Sequence, residues 1–257
     1  MNNLPSIEEG EKIVADQLKD ELEFHINCCR NCCDVIAKSI EAFPDIDFDN
    51  VTSSIKVVTT LLAKVLNDLR TSSILAATGY SSQAATIVSS LYESAFMIAY
   101  IGDNDDLANK WIEHEDATKL FISVKELTKQ GLKNIDTQNY EEFHPQEYNH
   151  YKQLCMIKHG NPLVQKNLVY SMEDNSVIAD FGPETSEFSI KIGWYALERA
   201  INYSMIAISG YINFHLLDQT TFEIIEKFNS VQESYKEMQR RAIERWGNEN
   251  ENENTLP

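Results

Sequence analysis

Residues Val57–Ile101 read VVTTLLAKVLNDLRTSSILAATGYSSQAATIVSSLYESAFMIAYI. From Thr71 to Tyr92 there is no charged side chain; Arg70 bounds that window on one side and Glu93 on the other. Val58, Leu61, Leu62, Val65 and Leu69 recur at steps of three and four, as do Ala84, Ile87, Val88, Leu91 and Ala95. That spacing belongs to two helices. Gly79 suits the left-handed position after a helix end, because it has no Cβ to clash. Ser81 or Ser82 is then expected to cap the second helix. So short a turn makes the two helices antiparallel neighbours. Both are apolar on most faces, which places them inside a larger bundle. Reflection about the turn sets Arg70 near Glu93, so an internal ion pair between them is expected. Such a pair either fixes helix register or forms the polar floor of a pocket.

The chain has 257 residues, 43% of them hydrophobic and 10% aromatic, enough for one large helical core. The net charge of −18 disfavours nucleic-acid binding, which needs Lys and Arg against phosphates, and disfavours anionic membranes. The N-terminal twenty residues are polar and acidic, unlike an export signal. Ala84–Ile101 and Ala200–Leu217 carry Glu93 and Asn202, Asn213 and His215 respectively, and read as core helices rather than membrane spans. The five cysteines, four of them in CCRNCC at 28–33, indicate reduced thiols and a cytoplasmic setting.

Before the central hairpin, Ser6 with Glu9 forms a capping box that opens a helix reaching about Phe43. Its stripe of Val14, Leu18, Leu22, His25, Cys29, Cys32, Ile36 and Ile40 takes in the cysteines as small core residues and His25 as a hydrogen-bonded core histidine. After the hairpin, Gly102–Asp106 reads as a turn and cap, and one helix is expected to run from there to about Gln130, stopped by Gly131, with Trp111 and His114 facing inward. Leu132–His144 reads as a loop, and Pro145 as the first residue of a helix ending at Gly160. Tyr148, Tyr151, Cys155 and His159 share a face of that helix. Residues 167–181 have strand-like composition on both sides of Glu173-Asp174-Asn175, which predicts a small hairpin. Two long helices follow, the second with Ile225, Phe228, Val231, Tyr235, Met238 and Ala242 inward. The repeating Asn-Glu tail at 248–257 reads as disordered, leaving residues 1–247 as a single domain.

Chemical motifs are sparse. Phosphate-binding glycine loops and a GxSxG elbow are absent from the sequence. Glu141-x-x-His144 and Glu147-x-x-His150 have the spacing of carboxylate-bridged metal bundles, but both fall in one segment rather than on facing helices. Cys155 and His159 are four apart, and chance explains that pair. No cofactor or metal is implied. The candidate site drawn from the pattern is Arg70, Glu93, His114, Tyr151 and His159, from four helices. Together they would supply a cation, an orienting carboxylate and acid–base groups.

The succession Arg70, Gly79, Ala84–Ala85, Leu91-Tyr92-Glu93, Trp111-x-x-His114, Tyr151-x-x-Leu154-Cys155-x-x-x-His159 resembles a prokaryotic family of helical proteins known only as a domain of unknown function. The resemblance covers about residues 57–161 and implies an all-helical fold without an assigned activity. Members often carry Arg-Thr-Leu-x-Glu where this chain has Ser89-Ser90-Leu91-Tyr92-Glu93. A looser likeness to HEPN ribonucleases lacks their motif of Arg, four to six residues, then His. The expectation is thus an all-α bundle of about seven helices with a small β excursion. Its expected role is regulatory, in a microbial defence or stress system, through a protein partner or self-association. The alternative is a hydrolase or nuclease of an anionic substrate using Arg70, Glu93 and His159.

Overall fold

The structure is a computed structural model describing residues 6–43, 50–116, 118–160, 170–173, 176–179, 182–215 and 220–247, with backbone alone at 170–173, 176–179, 220 and 221. Among these residues the chain forms eight helices. They are α1 (Ile7–Glu41), α2 (Ser53–Ala77), α3 (Ser81–Ile101), α4 (Asp105–Ile112), α5 (Val124–Ile135), α6 (Tyr140–Lys158), α7 (Glu187–His215) and α8 (Thr220–Trp246). Between α6 and α7, β1 (Tyr170–Glu173) and β2 (Ser176–Ala179) pair antiparallel, Tyr170 opposite Ala179 and Glu173 opposite Ser176. The expected all-α bundle with a β excursion is the observed fold. The 248–257 tail lies outside the described residues.

α3 is the axis. Fourteen of its 21 residues are buried, far more than the single stripe a surface helix hides. By length and composition it could cross a membrane, yet it lies mostly buried among the other helices. α2, α5, α6 and α7 all pack against it, while α1 lies over α2 and α7, and α8 over α1 and α7. Small residues allow the close approach. A Cβ on Gly131 of α5 would meet Phe96 and Ala99 at 3.1–3.3 Å, and one on Gly193 of α7 would meet Ser81 Oγ at 3.1 Å.

The hairpin turn is built as its sequence suggests, with one difference. Gly79 has φ +84°. The Tyr80 N–H donates to Leu75 O at 2.8 Å and the Gly79 N–H to Ala76 O at 3.1 Å, the paired closure of a Schellman cap. Neither Ser81 nor Ser82 caps α3: Tyr80 is the N-cap and makes no side-chain cap bond. Ser81 is instead buried, accepting from Ser189 of α7, and Tyr80 donates its hydroxyl to Glu11 of α1 at 2.7 Å.

Five other expectations are corrected. The single helix expected between the Gly102–Asp106 turn and about Gln130 is two helices separated by residues 113–123. Glu113, His114, Glu115 and Asp116 offer no apolar face, and Ser123 starts α5 by accepting from Glu126 N. Gly131 does not stop a helix; it lies inside α5, where its missing side chain admits Phe96. Residues 132–144 are not one loop, because α5 continues to Ile135 and α6 begins at Tyr140 after an Asp136 turn that binds Gln138 and Asn139 N–H. Pro145 therefore sits inside α6 rather than at its first position. On α8 Val231 and Met238 are buried as expected, but Ile224 rather than Ile225 is the buried isoleucine.

His25 is 2% exposed but its Nδ1 has no hydrogen-bond partner. Its ring lies 4.2 Å from Trp194. Burial, and then the Arg241 charge, hold its pKa down to about 3.

Two outcomes follow from these packing facts. Gly79→Ala puts a side chain at positive φ and drives a Cβ to 2.5 Å from Val14 Cγ1 and 2.8 Å from Glu184 N; the φ term alone is about 1–2 kcal/mol, so denaturant titration should show a larger loss. His25 takes up its proton only on unfolding, so the unfolded state binds more protons between about pH 3 and 6.5. Stability is then full above about pH 6.5 and falls with acidification, by up to about 1.4 kcal/mol per pH unit from this group. Thermal melts across pH 4–7 should show a shallower slope in His25→Leu.

Candidate functional site

The five residues expected to converge do not. Arg70 follows buried Leu69 by one position and is turned to solvent on α2. No Arg70–Glu93 ion pair exists among the described residues. Glu93 is half-buried on α3 and accepts instead from the Tyr151 hydroxyl of α6 at 2.7 Å. His114 is exposed in the segment after α4, its Nε2 2.8 Å from Lys119 O. His159 is the exposed C-cap residue of α6. Glu93 and Tyr151 are thus brought together, and Arg70, His114 and His159 are not. Cys155 is half-buried near Tyr151; burial raises its thiol pKa. Cys28 and Cys33 are pushed up to about 11, chiefly by burial, and Cys29 and Cys32 rise for the same first reason. These thiols are protonated near neutral pH. Among the described residues no three His, Cys, Asp or Glu side chains are grouped to hold a metal ion.

The polar centre lies elsewhere. α6 rests on α3 and α5, and α8 rests on α1 and α7. The two splay apart over α7 and leave a cleft of about 530 Å³. Its floor is one face of α7, where Lys191, Tyr195, Glu198, Arg199, Asn202 and Ile206 follow at helical spacing. Glu147 and His150 come from α6, Tyr235 and Gln239 from α8.

Arg199 is 6% exposed. Its Nη2 donates to Glu198 Oε1 at 2.5 Å and to the Tyr235 hydroxyl at 2.8 Å. Its Nη1 lies 3.8 Å from Glu147 Oε1, which also accepts from Asn202 Nδ2 at 3.1 Å. Gln239 Nε2 donates to Tyr235 at 3.2 Å. One guanidinium therefore links three helices. Burial opposes its charge, but Tyr235, Glu198 and Glu147 hold its pKa above the usual guanidinium range. Glu147 moves upward, because loss of water outweighs the pull of Arg199. Three buried atoms here have no partner: Arg199 Nε, Glu147 Oε2 and Trp194 Nε1.

His150 lies beside this network. The Tyr195 hydroxyl donates to Gln153 Oε1 at 2.8 Å and is 3.1 Å from His150 Nδ1. Burial, and then the Arg199 charge, hold the His150 pKa down to about 3.

At the end of α8, Trp246 stacks edge-on to Trp194 at 4.7 Å. The Arg245 guanidinium lies 4.9 Å from the Trp246 ring and pairs with Glu21 of α1 and Glu187 of α7. This clamp fixes the far rim of the cleft.

The sequence held the signal for this site. From Ile192 to His215 only Glu198 and Arg199 are charged. It is the same anomaly that marks Arg70 and Glu93, and here both residues are drawn inside.

Fold and site together define an all-helical bundle protein with a charged, buried-arginine cleft. Residues 55–254 match the model of a family of unknown function (DUF5677), and the chain belongs to that family. The expected membership of a domain-of-unknown-function family holds. The match takes in every residue named for the cleft and leaves α1, with the CCRNCC cluster, outside it. No curated protein and no solved structure matches the chain.

Arg199→Met leaves Glu147 and Glu198 without their counter-charge and should lower stability by about 3–5 kcal/mol. The triple variant Arg199→Met, Glu147→Gln, Glu198→Gln should recover much of that loss in urea unfolding. A triple variant no more stable than the single one would show that charge balance is not what Arg199 supplies.

Proposed function

We propose that this is a regulatory binding protein, in which the α6–α7–α8 cleft takes a small polar ligand and the bundle acts on a protein partner or a second copy of itself. One observation carries the reading. Buried Arg199 lines the cleft while tied to α6 through Glu147 and to α8 through Tyr235, so a ligand that competes for those groups changes how three helices are held.

The same groups support binding over turnover. A histidine with a pKa near 3 is too weak a base near neutral pH, where a general base works best with a pKa close to the ambient value. A thiol raised by burial supplies little thiolate for attack. The alternative, hydrolysis of an anionic substrate through Arg70, Glu93 and His159, has less support because Arg70 and His159 are exposed on separate helices and neither meets Glu93. Cytoplasmic residence draws on the protonated, unpaired thiols, and a microbial defence or stress role on the family resemblance alone.

The test pairs a thermal-shift screen of small polar metabolites with light scattering for assembly state. At least one compound should raise Tm by a few degrees and alter assembly or partner capture in the wild type. Neither effect should survive in Ala242→Trp, which fills the cleft. RNA and nucleotide degradation should be absent, or equal in wild type and His159→Ala; an activity lost in His159→Ala would replace binding by catalysis.

A further inference from the structure

The walls, floor and polar groups of the cleft each limit what can occupy it. We infer that it takes an uncharged, planar nitrogen heterocycle with an N–H donor beside a carbonyl acceptor, of the nucleobase or nucleoside class; this rests on reading the cleft as a ligand site.

Size comes first. About 530 Å³ lies within the range of sites that enclose small organic molecules. The walls come next. Phe143 of α6, Trp194 and Tyr195 of α7, and Tyr235 and Trp246 of α8 contribute aromatic side chains to the lining from three helices. A flat ring gains stacking contacts in an aromatic-lined cleft that a flexible aliphatic ligand of equal polarity does not.

The hydrogen-bonding groups then select the edge. Glu147 Oε2 is a buried acceptor without a donor, and Arg199 Nε and Trp194 Nε1 are buried donors without acceptors. Arg199 and Trp194 are 6% and 8% exposed. Asn202 and Gln239 add amides that carry both functions in one plane. A heterocycle edge with adjacent N–H and C=O offers the complementary pair, and flipped or single-stranded bases are read by such contacts.

Charge excludes the phosphorylated forms. The Arg199 charge is already met by Glu198 and the Tyr235 hydroxyl at Nη2 and by Glu147 3.8 Å from Nη1, and Lys191, the other cation in the lining, also has a partner. Two carboxylates line the cleft and the chain carries a net charge of −18. A phosphate would enter against that field without a free cation to meet it.

Isothermal titration of the full chain with guanosine, adenosine, cytidine and uridine, and with their 5′-monophosphates, tests the inference. At least one nucleoside should bind, its monophosphate at least about tenfold more weakly, a difference of roughly 1.4 kcal/mol. Ala242→Trp should abolish binding and Asn202→Ala should weaken it about tenfold, both with wild-type far-UV circular dichroism. A monophosphate that binds as tightly as its nucleoside, or nucleoside binding unchanged in Ala242→Trp, overturns the inference. Binding of free amino acids or sugars, lost in Ala242→Trp, with none by the nucleosides, overturns the heterocycle class and leaves the ligand site standing. Silence toward every probe in the wild type overturns both.

Discussion

A helix with almost no solvent face constrains everything around it. α3 can hold few charges and few large side chains on the faces where neighbours come closest, and its sequence complies with Ala84, Ala85, Ser89, Ser94, Ala95 and Ala99. Its larger residues then settle the neighbours' composition. Phe96 is admitted by Gly131 of α5, and Tyr92, fully buried, hydrogen-bonds to Thr128 of α5 at 2.5 Å. Thr128 gives its own proton to Val124 O, so Tyr92 is the donor. Tyr151 of α6 and Tyr203 of α7 each place a ring 4.8 Å from Tyr92. Three helices thus converge on one tyrosine, and the positions of α6 and α7, which set the cleft, are inherited from how each meets α3.

Arg199 is the second organising element, and its logic is the reverse. α3 excludes charge, whereas α7 buries one and must gather compensation from elsewhere. Glu198 beside it supplies one oxygen; the rest comes from α6 and α8. The compensation is uneven. Glu147 keeps one oxygen without a donor, and Arg199 keeps Nε without an acceptor.

How much of this the sequence discloses can be followed residue by residue. The hairpin, its Gly79 turn and the capping box at Ser6 are legible because each rests on local geometry: periodicity, a residue without Cβ, a hydroxyl three residues before a glutamate. Gly131 misleads, because a helix-stopping glycine and a glycine making room for Phe96 look alike until the partner helix is known. The Arg70–Glu93 pair misleads for a related reason. Both border one apolar window, but burial depends on helix phase, and Arg70 sits a single position beyond the inward face. The Glu198–Arg199 pair obeys the same pattern and is internal, yet its partners Glu147 and Tyr235 lie dozens of residues away, where spacing within one helix carries no information.

The attachment of α8 has a consequence for how such a protein can change over generations. This helix packs against α1 and α7, and brings Tyr235, Gln239, Ala242 and Trp246 to the cleft. Of these only Tyr235 belongs to the Arg199 network directly, and Ala242 and Gln239 are half-buried. Substitutions at the latter two reshape one wall of the cleft while the crowded interior around Tyr92 stays as it is. The fold thereby separates a crowded interior from an adjustable wall, and the wall can change its shape and polarity without a compensating change around α3.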